Sequence, residues 1–181
     1  FLAPVPVVER GHLIEAYGRL LADPDPEVHR PAAIAWSRWE SSTITLLPQA
    51  DTIARFTEPE YATAFARIEN HYFRHGGWWE EGQLIRDATR LAGIPAVIVQ
   101  GRYDMCTPPM TAWDLHLAWP EAEFRMIADA GHAFDEPGIL DALIRATDRF
   151  ASASAGDDED DRDDEDDEEL DDEDREDADR E

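Results

Sequence analysis

An acid and a histidine, Asp104 and His132, each follow a short apolar segment of the sequence. A carboxylate that accepts the N–H of an imidazole holds the ring in one orientation, and the ring can then take a proton from a nucleophile. The two residue types therefore predict an acid–base pair of the kind found in hydrolases. The alternative is that Asp104 caps a turn and His132 is an ordinary loop histidine.

The nucleophile that would complete a triad has no candidate in the sequence. Acid before histidine is the chain order of α/β-hydrolases, but the turn Gly-x-Ser-x-Gly that carries their serine is absent from the 181 residues. The serines fall in segments that we predict to be helical or disordered: Ser37, Ser41, Ser42, Ser152 and Ser154. Cys106, the single cysteine, is expected to be a small buried residue, and it excludes an intramolecular disulfide and suits a reducing compartment.

The segments around Asp104 and His132 alternate between predicted helix and strand. Residues 96–99 form a β-branched run, which predicts a strand buried on both faces. We predict a second strand at 122–127 and helices at 83–91, 109–119 and 137–151. This alternation is typical of a parallel sheet covered by helices, in which ligands bind beyond the carboxyl ends of the strands. Asp104 and His132 both fall at that edge.

Residues 1–82 are predicted to be helical throughout. Apolar side chains recur at spacings of three and four over 9–21, and a third helix is predicted at 58–73. Between them, Asp25 is a candidate N-cap and Pro26 a first helical residue, opening a helix toward residue 47. No strand pattern competes in this region, so it is predicted to be an all-helical part of the protein.

Composition limits the possible partners. The net charge is −26, and residues 157–181 alone contain 20 acids and 3 arginines. A strongly acidic surface argues against binding nucleic acid or an anionic membrane. The sequence contains no apolar run of about 18 residues, the length that a membrane-spanning helix needs. We expect residues 152–181 to be disordered, because almost no apolar side chain is available to offset the entropy of folding. The sequence does not begin with methionine, and we expect it to begin inside a longer protein.

Several motifs together resemble the C-terminal end of the proline iminopeptidases, serine prolyl aminopeptidases of the α/β-hydrolase superfamily. The similarity is carried by IPAVIVQGRYDMCTPPMTAWDLHLAWPEAEFRMIADAGHAFDEPGILDALIRATDRFA, and it continues upstream through AAIAWSRWESSTITLLP and ARIENHYF. It covers essentially residues 1–151. The resemblance implies a helical cap at 1–82 and, at 83–151, the C-terminal part of an α/β-hydrolase core, a parallel sheet with helices on both faces. The part carrying the serine would precede Phe1.

The resemblance also implies a role for five residues. Asp104 would be the triad acid and His132 the general base. Glu40 and Glu69 match the two glutamates that hold the substrate's α-amino group, and Phe73 matches a residue lining the apolar pocket for the pyrrolidine ring. The alternatives are that each glutamate is an exposed helix acid and that Phe73 is a core aromatic.

The activity implied is release of N-terminal proline from peptides through an acyl-enzyme, without metal or cofactor, by a cytoplasmic protein. Its partners would be peptides with N-terminal proline, not nucleic acid or membrane. Residues 1–181 alone would be inactive because they lack the serine. Two alternatives stay open: a related hydrolase acting on another amide or ester, and a non-catalytic protein whose acidic tail contacts basic partners.

Overall fold

The structure, a computed structural model, describes the backbone of residues 1–160 and the side chains of residues 1–153. Contacts divide the chain into two units, Phe1–Leu143 and Ile144–Glu181. As far as it is described, the second unit is the continuation of the last helix. The prediction of disorder for 152–181 falls mostly outside the described residues, and the backbone of 152–160 is helical.

Four helices make up the amino-terminal part of the first unit. They are α1 (Leu13–Ala22), α2 (Pro26–Thr43), α3 (Ala50–Phe56) and α4 (Pro59–Arg74). The predicted N-cap of α2 is confirmed, since the Asp25 carboxylate accepts the Glu27 N–H at 2.9 Å. Glu58 caps α4 in the same way, ahead of a proline at the first helical position. The short helix α3 was not predicted.

A core of large and very small side chains packs these helices together. Tyr17 of α1 and Trp36 of α2 are almost completely buried, with ring centroids 5.0 Å apart in an edge-to-face arrangement. Alanines fill the remaining contacts and let the helix backbones approach closely: Ala16, Ala32, Ala33, Ala62 and Ala66. The core therefore fixes α2 against α4, the two helices that carry Glu40 and Glu69.

The rest of the first unit contains two parallel strands and the helices around them, and the last of these helices continues into the second unit. The elements are α5 (Gln83–Arg86), β1 (Val97–Gly101), α6 (Pro109–Ala118), β2 (Glu123–Ile127) and α7 (Pro137–Asp160). Val97 pairs with Glu123 and Gly101 with Ile127, so both strands end at the same edge. The predicted alternation of helix and strand is confirmed, and the chain is mostly helical with a small parallel sheet.

One prediction about β1 is wrong. Its first three residues, Val97 to Val99, are half-buried rather than buried on both faces, and only Gln100 and Gly101 are buried. The physical reason is incomplete cover of the sheet: among the described helices, α6 alone has more than slight contact with β1. None of the described helices is both long and apolar enough to cross a membrane.

Candidate active site

The loops after the two strands bring Asp104 and His132 into contact. His132 Nδ1 lies 3.0 Å from Asp104 Oδ2. The approach is possible because β1 ends in Gly101: a Cβ at that position would lie 1.8 Å from the carbonyl oxygen of Gly131. No side chain fits between the end of β1 and the histidine loop, so a glycine there is a requirement of the geometry.

The carboxylate of Asp104 is buried and accepts several hydrogen bonds. Its side chain is 5% exposed. Oδ1 accepts the backbone N–H groups of Cys106 and Thr107 at 2.9 and 2.8 Å. Oδ2 accepts the Thr107 hydroxyl at 2.8 Å and the Gln100 amide at 3.2 Å, besides the imidazole. Burial acts to raise the pKa of Asp104, but the hydrogen bonds from Thr107 and His132 outweigh it and hold the pKa below its usual value. Asp104 is therefore ionised at neutral pH.

His132 is fixed through its backbone as well as through its ring. The N–H groups of His132 and Ala133 both donate to the Ile44 carbonyl at 2.8 Å, at the end of α2. The side chain is 41% exposed. With Nδ1 held by Asp104, the Nδ1–H tautomer is favoured and Nε2 can accept a proton. In the described part of the chain, Nε2 has no hydrogen-bond partner, so it is available to a reacting group.

A buried glutamate that sequence reasoning missed holds the histidine loop. Glu136 is 6% exposed. Its Oε2 accepts the Gly131 N–H, and its Oε1 accepts the Leu46 N–H at 2.8 Å. One carboxylate thus ties the residue before His132 to the segment after α2. No spacing distinguishes this glutamate from an exposed acid ahead of a helix, because its partners lie 5 and 90 positions away.

A cavity of about 1010 Å³ brings the remaining predicted residues to His132. Glu40 of α2 and Glu69 and Phe73 of α4 all line it, together with the histidine. The two glutamates are half-buried, and Phe73 is 53% exposed. The structure therefore places Glu40, Glu69 and Phe73 together beside His132. Further lining residues come from α3, α4 and the two strand-end loops: Thr52, Arg55, Phe56, Phe65, Cys106, Thr107 and Phe134.

The two glutamates of the cavity are partly desolvated, and the charge of one acts on the other. Burial raises the pKa of Glu40 to about 7, and the Glu69 charge acts in the same direction while His132 opposes it. Burial also raises the pKa of Glu69, although the Trp36 indole N–H, which donates to its carboxylate at 2.6 Å, acts to lower it. Two carboxylates in one partly desolvated site disfavour each other's charge. A positively charged group between them would relieve that repulsion.

Cys106 is exposed, contrary to the expectation of a buried residue. It lies in the loop after β1, where its backbone N–H donates to Asp104 Oδ1 and its side chain is left exposed. Partial burial of its thiol, together with the nearby carboxylates, raises the Cys106 pKa, so the thiol is protonated at neutral pH and is a poor nucleophile. Donor atoms of Asp104, Cys106 and His132 lie within 4.8 Å of one another and could hold a metal ion. Such an ion would compete for carboxylate oxygens that already accept hydrogen bonds.

The described serines do not approach the histidine. Ser37 donates to the Ala62 carbonyl, and Ser41 and Ser42 donate to the Arg38 carbonyl. No serine in the described residues makes a hydrogen bond to His132. The described site thus contains a buried carboxylate hydrogen-bonded to a histidine beside a cavity, and no described serine is bonded to that histidine.

Curated proteins named proline iminopeptidase are similar to most of this chain. One from Xylella fastidiosa (strain Temecula1) is 51% identical over 151 residues, which are 83% of this chain and 48% of the relative. One from Neisseria gonorrhoeae is 45% identical over 150 residues (82% and 46%), and one from Arabidopsis thaliana is 43% identical over 147 residues (80% and 39%). No protein-family model matches the chain. The chain spans about half the length of the curated relatives it matches.

Proposed function

We propose that this chain supplies the acid–base pair and the amino-terminus pocket of a serine aminopeptidase that releases N-terminal proline from peptides. The hydrogen bond between Asp104 and His132, beside a cavity with two half-buried glutamates, is the observation that carries the proposal. The names of the relatives give the substrate class. The reaction needs no metal or cofactor, because a hydrogen-bonded base and a serine are sufficient for acyl transfer.

In this mechanism, Glu40 and Glu69 bind the α-ammonium group of the substrate through charge-assisted hydrogen bonds. Phe73 contacts the pyrrolidine ring. His132 Nε2 takes the proton of the attacking serine hydroxyl and then gives it to the departing amine, while Asp104 stabilises the imidazolium. A second cycle, with water in place of the serine, releases proline. The serine must come from polypeptide outside residues 1–181.

The proposal includes an assignment of the chain to parts of a hydrolase. Residues 83–151 would be the carboxyl-terminal part of an α/β-hydrolase core, with 1–82 as a helical cap and 152–181 as an acidic tail. The parallel strands with active-site loops at their carboxyl ends support the first assignment, and the helices over 13–74 support the second. We also propose a cytoplasmic location, because one cysteine without a disulfide suits a reducing compartment.

The first experiment measures hydrolysis by residues 1–181 alone. We expect no hydrolysis of a prolyl arylamide above the rate in buffer, because His132 has no serine to activate. If residues 1–181 hydrolyse the substrate faster than buffer and His132→Ala abolishes that activity, the nucleophile lies within these residues and the proposal that other polypeptide supplies it is wrong.

The second experiment tests amine recognition in the protein that includes the serine. Glu69→Gln should lower kcat/KM for prolyl amides with a free amino group at least about tenfold more than for simple esters, because a charge-assisted hydrogen bond is worth roughly 1.5–3 kcal/mol. Glu60→Gln, on the exposed first turn of the same helix, is the matched control and should change neither. Equal losses on both substrate classes would instead favour a related hydrolase acting on another amide or ester.

A further inference from the structure

The helix α3 brings an arginine to the cavity that the proposed reaction does not use. Thr52, Arg55 and Phe56 of this helix line the same cavity as Glu40 and Glu69. The Arg55 guanidinium lies 5.7 Å from the centroid of the Phe56 ring. Within the described part of the chain, Arg55 makes no ion pair. It is the one arginine among the residues that line this cavity.

Contacts between aromatic rings give the order of groups along this wall. Phe65, Glu69 and Phe73 follow each other at intervals of four residues on α4, so they share one face and are about 6 Å apart along the helix. The Phe56 ring packs edge-on against the Phe65 ring, with centroids 5.3 Å apart. The Phe56 ring is in turn 5.7 Å from the Arg55 guanidinium. The cavity therefore has glutamates at one position and a single guanidinium at another, with aromatic surface between them.

We infer that Arg55 binds the C-terminal carboxylate of a short peptide whose α-ammonium group is held by Glu40 and Glu69. The inference rests on the proposed function for the amino-terminal end of the ligand. The steps from Glu69 along α4 to Phe65, across to the Phe56 ring and on to Arg55 amount to roughly 17 Å at most, and an extended chain spans at most about 3.3–3.6 Å per residue. A peptide of up to about five residues is therefore long enough to reach from one charged position to the other.

The chemistry of the guanidinium selects a free carboxylate. Arginine presents N–H groups in a planar fork that matches both oxygens of a carboxylate, whereas a C-terminal amide offers one oxygen and no charge. Arg55 is exposed at the edge of the cavity, so solvent screens its interaction. We expect a preference of about fivefold for the free carboxylate over the amide at low ionic strength, decreasing as salt is added.

The test is a binding measurement on the 181-residue chain itself. All the groups that contact the ligand lie in the first unit, so binding does not require the serine, and the peptide is not hydrolysed. Isothermal titration calorimetry would compare Pro-Gly-Gly, its C-terminal amide and its N-acetyl form. The variant is Arg55→Gln, and the matched control is Arg38→Gln, an exposed arginine that lines a different cavity. The net charge of −26 attracts the cationic amide in every variant. The quantity compared between variants is therefore the ratio of the affinity for Pro-Gly-Gly to the affinity for its C-terminal amide.

The expected result is a carboxylate-to-amide affinity ratio of about five in the unaltered chain and in Arg38→Gln, falling to about one in Arg55→Gln. A ratio that stays the same in Arg55→Gln overturns the inference, and it leaves the proposed function standing if acetylation still abolishes binding. If the acetylated peptide binds as well as the free one, the proposed recognition of the amino group is wrong. The carboxylate-to-amide affinity ratio in Arg55→Gln still decides whether Arg55 binds the carboxylate. Absence of binding by all three peptides overturns both.

Discussion

Replacing Glu136 by glutamine tests whether one buried carboxylate holds the loop that carries His132. In the structure, this carboxylate accepts hydrogen bonds from the N–H groups of Gly131 and Leu46, which belong to segments far apart from each other in the sequence. Glutamine has nearly the same shape but only one acceptor oxygen, and its NH₂ group would face one of the two N–H donors. One charge-assisted hydrogen bond is weakened and the other is replaced by two opposed donors in a site that is 6% exposed.

The expected cost follows from these two losses. A hydrogen bond to a charged group contributes about 1.5–3 kcal/mol, and a buried donor without a partner costs about 1–3 kcal/mol. Because the loop can shift to recover part of this, we expect Glu136→Gln to lower the free energy of unfolding by about 2–3 kcal/mol. In a chain of this length, that corresponds to a decrease in Tm of roughly 4–12 °C.

The assay is urea unfolding followed by tryptophan fluorescence, together with NMR of the His132 ring. Loosening of the loop should weaken the hydrogen bond from Nδ1–H to Asp104, which moves the Nδ1 proton signal and increases its exchange with solvent. Glu121→Gln is the control, because Glu121 is exposed and its change should stay within about 0.5 kcal/mol. The reasoning is refuted if Glu136→Gln matches this control in stability and leaves the His132 signals unmoved.

Two further predictions concern the backbone contact at the strand end and the charge of the cavity. Gly101→Ala should lower the free energy of unfolding by more than about 3 kcal/mol, because its Cβ would lie 1.8 Å from a backbone carbonyl oxygen that cannot move aside. The control is Gly11→Ala, where no atom lies within 4 Å of the added Cβ, and its effect in urea unfolding should stay within about 0.5 kcal/mol. Affinity for prolinamide should rise as the pH increases through about 7, where Glu40 ionises, and Glu40→Gln should flatten this rise. Because the pKa of Glu40 is about 7 in the folded chain and 4.5 as its ordinary value, the same group should make stability fall as the pH rises from about 4.5 to 7, with no further fall above that. An affinity independent of pH between about 5.5 and 8 in the unaltered chain would contradict the assignment.

The pairing of Asp104 with His132 could be predicted from local sequence because it depends on a general rule. Each residue follows a strand, and the carboxyl ends of neighbouring parallel strands lie at one edge of the sheet. The helices α2 and α4 could be predicted as well, α2 from the cap Asp25 followed by Pro26 and α4 from the spacing of its apolar residues. These features need only contacts between residues close in sequence, or a topology that has few alternatives.

The groups that complete the site follow no local rule. Glu136, Gln100 and the Ile44 carbonyl contribute through hydrogen bonds whose geometry exists only once the chain has folded. The helix α3 has seven residues and no side-chain cap, so its pattern was too weak to predict, although it supplies Arg55 to the cavity. The half-buried faces of β1 depend on how completely helices cover the sheet, which an apolar run does not specify.

The end of α2 joins the two halves of the site. Glu40 lies on the last turn of this helix, and its carbonyl accepts the N–H of Ile44 at 3.2 Å. The Ile44 carbonyl in turn accepts the N–H groups of His132 and Ala133. A continuous path of backbone hydrogen bonds therefore runs from a residue of the proposed amine pocket to the proposed base. Because this path uses no side chains, substitutions at Glu40 can change what the pocket binds without displacing the histidine, while a change that unwinds the end of α2 would disturb binding and proton transfer together.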